Sequence, residues 1–174
     1  MGKGALNIFF IFGFLVLSAC SSGANDEKLS IYFFGDVPRD REEQLHKMIE
    51  NEIGEVEEEI HISIEPVQHE RILVVIAAQE GDLYFIDQSK DVFFDPVGLV
   101  PLDGLFSDDA REGSRQYVAE DEETGEEQLF AVSINEQTRF IDELDIELSN
   151  AMFAFVDKRS THIELSKKIL EALY

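Results

Sequence analysis

Leu29-Ser30-Ile31-Tyr32-Phe33-Phe34-Gly35-Asp36-Val37-Pro38 is the stretch on which the fold class turns. A short apolar run rich in β-branched and aromatic residues, broken by Gly35 and Pro38, predicts a buried strand. Pro38 suits the first turn of a following helix, where a missing N–H costs nothing, and Asp40, Glu42 and Glu43 stand near the positive end of its dipole. Leu45, Met48, Ile49, Ile53 and Val56 then recur at helical spacing, which predicts an amphipathic helix with one apolar face. Ile60, Ile62 and Ile64 alternate with His61, Ser63 and Glu65 until Pro66, the period of a strand. The order is β-α-β.

Working outward from this unit, the run Ile72 to Ala78 fits a buried strand or a buried helix. Ala77, Ala78 and Gln79 are poor strand formers and Gly81 sits where a helix terminator belongs, so a helix is expected over 71–79. Leu83-Tyr84-Phe85-Ile86 makes a third strand. A β-α-β-α-β order with short connections predicts an α/β domain of three layers, a mainly parallel sheet flanked by helices and joined by right-handed crossovers. Residues 93–103 mix apolar residues with turn formers and predict a packed loop with short helical turns. Tyr117-Val118-Ala119 and Gln128 to Ile134 flank an acidic segment whose Gly125 supplies a tight turn, so a hairpin is expected. Ala151 to Val156 predicts another buried strand, and Thr161-His162-Ile163-Glu164 fits a capping box opening a terminal helix. Residues 28–174 read as one α/β domain.

The amino-terminal segment is an address. Lys3 supplies a positive start, and Ile8 to Leu17 are apolar throughout. Ten residues are too short for a membrane-spanning helix, which needs roughly twenty, so the segment reads as a secretory signal. Leu17-Ser18-Ala19-Cys20 resembles the lipobox of bacterial lipoproteins. The resemblance implies cleavage before Cys20, acylation of its thiol, a signal peptide over 1–19, a lipidated tether over 20–27, and residence at the outer face of the bacterial cytoplasmic membrane. Two acyl chains suffice for stable anchoring. Cys20 is the sole cysteine, which excludes a disulfide within the domain.

The β-α-β-α-β order, the turn Glu80-Gly81-Asp82, the segment Leu99-Val100-Pro101-Leu102-Asp103, and the later Gly125 turn before Leu129-Phe130-Ala131-Val132-Ser133-Ile134 together resemble the N-terminal lobe of extracellular solute-binding lipoproteins, the type 2 periplasmic-binding fold. Ser133 and Phe130 stand where that family often has proline and tyrosine. Ala151 to Tyr174 resemble the segment by which such a chain returns to its first lobe. A clamshell binder needs two lobes, and residues 135–150 are too few to hold a second, so the resemblance implies a single lobe without hinge closure. Open α/β sheets bind ligands outside their carboxyl edges. That rule selects Gly35 and Asp36 after the first strand and Asp87 after the third as candidate ligand-binding residues.

Charge narrows the function. The chain has 14 basic and 37 acidic residues and a formal charge of −23; removing 1–19 takes one lysine and no acid, so the acidity belongs to the exported domain. Such a chain is repelled by nucleic-acid phosphates and anionic lipid headgroups. With 44% hydrophobic residues it can still build a core. His46, His61, His69 and His162 share no metal-ligand spacing, so no metal and no cofactor is expected. Ser114 and Ser133 lack a nucleophile-elbow setting. The acidic runs 120–127 and 55–59 read as solvated surface.

Three classes of function remain: a non-enzymatic accessory lipoprotein contacting another exported or membrane protein, favoured by the tether; a solute-binding component presenting a small molecule or cation to a transporter; and a hydrolase using paired carboxylates.

Overall fold

Between residues 28 and 87 the strand and helix periods materialise where the sequence alternates between them. In the computed structural model, which describes residues 28–174, β1 (Lys28–Phe34), α1 (Glu42–Ile53), β2 (Glu59–Glu65), α2 (His69–Ala77) and β3 (Leu83–Asp87) follow in that order. The signal peptide, Cys20 and the tether lie outside the described residues. After β3 come short 3-10 turns, α3 (Asp108–Gly113), β4 (Val118–Glu120), β5 (Glu127–Leu129), β6 (Val132–Ile134), α4 (Arg139–Leu144), β7 (Met152–Val156) and α5 (Ile163–Leu173).

The main sheet has the order β2-β1-β3-β7-β6, and β4 pairs with β5 in a separate ribbon. β1 pairs in parallel with β2 and β3, whereas β7 is antiparallel to both β3 and β6. The expected mainly parallel sheet is therefore mixed. The chain leaving β6 passes through the six-residue α4, turns back at the carboxyl edge and enters β7 from there, so β7 runs against its neighbours. A parallel neighbour would need a connection that carries the chain back to the opposite edge.

Alternation along the central strands sorts the core into two faces. Phe33 and Phe85 stack at 4.4 Å on one face, and Phe140 of α4 meets both edge-on. α1 and α5 pack against each other. Lys168 of α5 donates to the carbonyl of Ile53 at 2.9 Å, satisfying the end of α1 beside Gly54, whose φ of 78° is glycine's to adopt. On the opposite face a continuous aromatic chain runs from Phe34 through Tyr32, Tyr84, Phe155, Phe153 and Tyr117 to Phe94, with successive centroids 5.1 to 6.0 Å apart. Such ring pairs each contribute about 0.5–1.5 kcal/mol beyond their burial.

Several local expectations shift. α1 ends at Ile53, so Val56 is outside it, and Pro38 precedes a separate 3-10 turn, Arg39–Arg41. α2 is helical as expected, but Gln79 (φ 57°) takes the left-handed position after it, not Gly81. The run 128–134 divides: β5 belongs to the hairpin ribbon and β6 to the main sheet, with Phe130 and Ala131 buried between them. No capping box forms at α5. His162 is the N-cap residue, and its own N–H donates to Ser160 Oγ at 2.9 Å. Among the described residues no helix is long and apolar enough to cross a membrane.

Candidate functional site

β1, β2, β3 and β6 end on one edge of the sheet, where β7 begins, and the strand-end residues singled out from sequence meet there. Phe34 pairs with Ile86, so Gly35 and Asp87 continue side by side. They do different things. A Cβ on Gly35 would stand 2.7 Å from Met152 Cε, so Gly35 makes room for the core side chain that begins β7. Asp87 is buried, with its carboxylate accepting from Ser89 N at 2.8 Å and from Asn150 Nδ2 at 3.3 Å. These bonds fix the loop after β3 against the entry to β7. Asp36 is exposed at the same edge. Of the three, Asp36 presents a charge to solvent, while Gly35 and Asp87 build the edge.

Amides and buried hydroxyls stand beside them. Gln88 Nε2 donates to Ser133 Oγ at 3.2 Å and Gln116 Nε2 to the same oxygen at 3.4 Å. Ser133 is itself placed by its N–H, which donates to the buried Ser114 Oγ at 2.9 Å. Burial pushes the Tyr117 hydroxyl above its ordinary pKa, and hydrogen bonds to Gln88 and Gln116 draw it partly back. Gln88, Asp91, Phe94, Gln116 and Tyr117 line an open depression of about 300 Å³. A second, of about 430 Å³, lies against Asn135, Gln137, Ser149 and Asn150 with Glu136 and Leu148. Gln88 of the first donates its backbone N–H to the carbonyl of Ala151 of the second at 2.9 Å. Sequence reasoning passed over these amides because single Gln and Asn residues carry no motif. Their one legible signal is position, since Gln88, Asn135 and Asn150 flank strand ends.

Two other clusters contain chemistry-bearing side chains. Asp82, Ser160 and His162 are the residue types of a nucleophilic triad, but their order differs. Ser160 Oγ donates directly to Asp82 Oδ1 at 2.6 Å, His162 Nδ1 stands 3.4 Å from that same oxygen, and Asp82 Oδ2 accepts from Ser30 N at 2.7 Å. The carboxylate ties β1, β3 and the start of α5 together. Another depression, of about 610 Å³, lies at the opposite edge between the end of α1 and the start of β2, against His46, Glu50, Glu55, Glu58 and Glu59. Among the described residues no group of three His, Cys, Asp or Glu side chains stands where it could hold a metal ion. The acidic hairpin tip is tied by Lys158, which donates to Glu123 at 2.6 Å.

No family model matches the chain. No solved structure matches it either. Over 163 residues, 91% of this chain and 90% of the other, it is 26% identical to a Bacillus subtilis (strain 168) protein named "Putative lipoprotein YteS". The matched share is larger than residues 28–174, so the similarity reaches into the amino-terminal segment that carries Cys20.

Proposed function

We propose that this protein is an exported lipoprotein, acylated at Cys20 and held at the outer face of the bacterial cytoplasmic membrane. Its 28–174 domain is a non-enzymatic accessory module with the architecture of one solute-binding lobe. The similarity to a protein named as a lipoprotein and the Leu17-Ser18-Ala19-Cys20 sequence support the anchor. The return strand β7, inserted between β3 and β6, supports the likeness to a first lobe.

The observation that carries the reading is the carboxyl edge. Strand ends converge there on two open depressions in which amides and hydroxyls outnumber the carboxylates Asp91 and Glu136, and Asp82 ties β1 and β3 to the start of α5. The edge is then the recognition face, turned toward another exported or membrane protein. A second reading, capture of a small solute for a transporter, is favoured by the same two depressions.

Photocrosslinking on the membrane-bound, full-length protein tests this. A photoreactive residue at position 36 or 137 should give an adduct with an exported or membrane protein, and one at Glu55, at the far edge, should not. Adducts from position 55 alone, or from none of the three, would overturn the accessory reading.

A further inference from the structure

We propose that the outer face of α2, with Val92 and Phe93 beside it, lies on the lipid surface to which Cys20 is anchored, so that the domain docks sideways on the bilayer. The inference rests on acylation at Cys20. Its starting point is a helix that is apolar on both sides. α2 turns Ile72 and Val75 into the core, yet Leu73, Val74 and Ala77 share the opposite face at helical spacing and are exposed. A helix apolar all round is normally enclosed. Four large apolar side chains are exposed among the described residues, and three of them, Leu73 at 52%, Val74 at 53% and Val92 at 70%, belong to this face. His69 joins its two segments: it opens α2 one turn ahead of Leu73, and its ring stands 4.8 Å from that of Phe93. The fourth, Val97, stands beside the acidic hairpin tip.

Two observations select lipid as the occupant. The first is where the chain enters the domain. Lys28 follows Cys20 by eight residues, and a chain of that length spans at most about 29 Å. β1 starts at the edge of the sheet where α2 ends. Glu80 N–H donates to the Val75 carbonyl at 3.0 Å, Tyr32 of β1 donates to the Glu80 carboxylate at 3.3 Å, and Asp82 N–H donates to the Ser30 carbonyl at 2.8 Å. α2 is itself only about 14 Å long. A bilayer held at Cys20 is therefore within reach of the whole face, and the anchor keeps it there at high effective concentration. The second is charge. From Cys20 onward the chain has 13 basic and 37 acidic residues, which keep most of its surface away from anionic headgroups. α2 and residues 88–93 are the exception, with two acids, Glu70 and Asp91, against two bases, Arg71 and Lys90. The apolar face is locally neutral, and repulsion of the remainder turns the domain to present it. A second copy on this face would instead bring two strongly negative chains together. Leu73, Val74 and Val92 then settle at the boundary between headgroups and acyl chains. The strands run alongside α2, so their carboxyl edge points along the membrane, toward proteins of the same leaflet.

The test uses the mature chain as the cell processes it, placed in vesicles of phosphatidylcholine containing phosphatidylglycerol. A nitroxide spin label is attached through Val74→Cys or, for comparison, through Glu43→Cys on the exposed side of α1. Cys20, the sole native cysteine, is blocked by its lipid. Two relaxing agents read the surroundings of the label: oxygen, which concentrates in lipid, and a nickel chelate, which stays in water. The ratio of oxygen to nickel relaxation at position 74 should be several-fold higher than at position 43. Leu73→Asp should bring it down to the value at 43, while the protein still sediments with the vesicles and melts as the parent does. A label at 74 as open to nickel as one at 43, or a ratio that Leu73→Asp leaves unchanged, overturns the docking and leaves the anchor standing. A label shielded from both agents, or broadened by the label of a neighbouring copy, shows a protein cover and overturns it as well. A chain that fails to sediment with the vesicles has no lipid at Cys20 and removes the docking together with the anchor.

Discussion

The backbone N–H of Gly81 donates to the Tyr84 hydroxyl at 3.0 Å, and the Tyr84 ring lies so close that a Cβ at residue 81 would stand 2.7 Å from its Cζ. Tyr32 closes the other side, with Cδ2 also 2.7 Å from that position. Both rings are stacked in the aromatic chain and neither has a flexible end to withdraw. Gly81→Ala should therefore destabilise the domain by about 1–3 kcal/mol, the range for overpacking a filled core. Gly98→Ala, where nothing lies within 4 Å, should stay within about 0.5 kcal/mol. Urea unfolding of the two variants checks the contrast.

Alkaline pH should unfold the protein. Burial is the first cause of a raised pKa at all four tyrosines, Tyr32, Tyr84, Tyr117 and Tyr174, and at Tyr84 the displacement is large. A phenol in the unfolded chain ionises near its model value of 10.0, while in the folded state it keeps its proton. Above that pH the unfolded state binds fewer protons, so stability falls as pH rises. The contribution is complete below about pH 10 and is lost above it. Denaturation midpoints between pH 8 and 12 should show this decline, and Tyr84→Phe should make it shallower.

Gly35→Val should destabilise the domain, because its side chain would invade the space of Met152, a fully buried residue. Gly35→Ala should cost less, because the nearest atom is the end of a methionine side chain that can rotate away. A thermal melt of Gly35→Val unchanged from the parent would contradict the packing described for the carboxyl edge.

Asp82→Ala should cost about 2–3 kcal/mol, because it strips a carboxylate acceptor from Ser30 N and Ser160 Oγ at once. Asp82→Asn keeps one acceptor oxygen and should lose less. Hydrogen exchange at the Ser30 amide reports the loss directly, since that N–H would be the first freed.

Cys20→Ala should leave the precursor uncut or release the protein from membranes. Fractionation followed by mass measurement of the amino terminus distinguishes these outcomes from a normally cut product that stays membrane-bound, which would refute acylation at Cys20.

The sequence by itself determined the elements whose hydrophobic period is long or strict. β1, α1, β2 and β3 follow from apolar runs and from isoleucines at alternate positions, because a side chain's face is set by local backbone repeat. It also chose correctly for α2, where alanines and Gln79 outweighed a run that could have been a strand. The strand ends follow from the same periodicity, which is why Gly35, Asp36 and Asp87 share one edge of the sheet.

Only the tertiary structure decided pairing and environment. The direction of β7 depends on where the chain emerges from α4, and the split of 128–134 depends on two sheets competing for one segment. Gly81 read as a helix terminator, yet it is fixed by two aromatic rings, one of them on a strand some fifty residues earlier. The convergence of Gln88, Gln116 and Ser133 was hidden for the same reason. Hydrogen bonds between residues 17 to 45 positions apart leave no periodicity in the sequence, and only packing brings their donors and acceptors within reach.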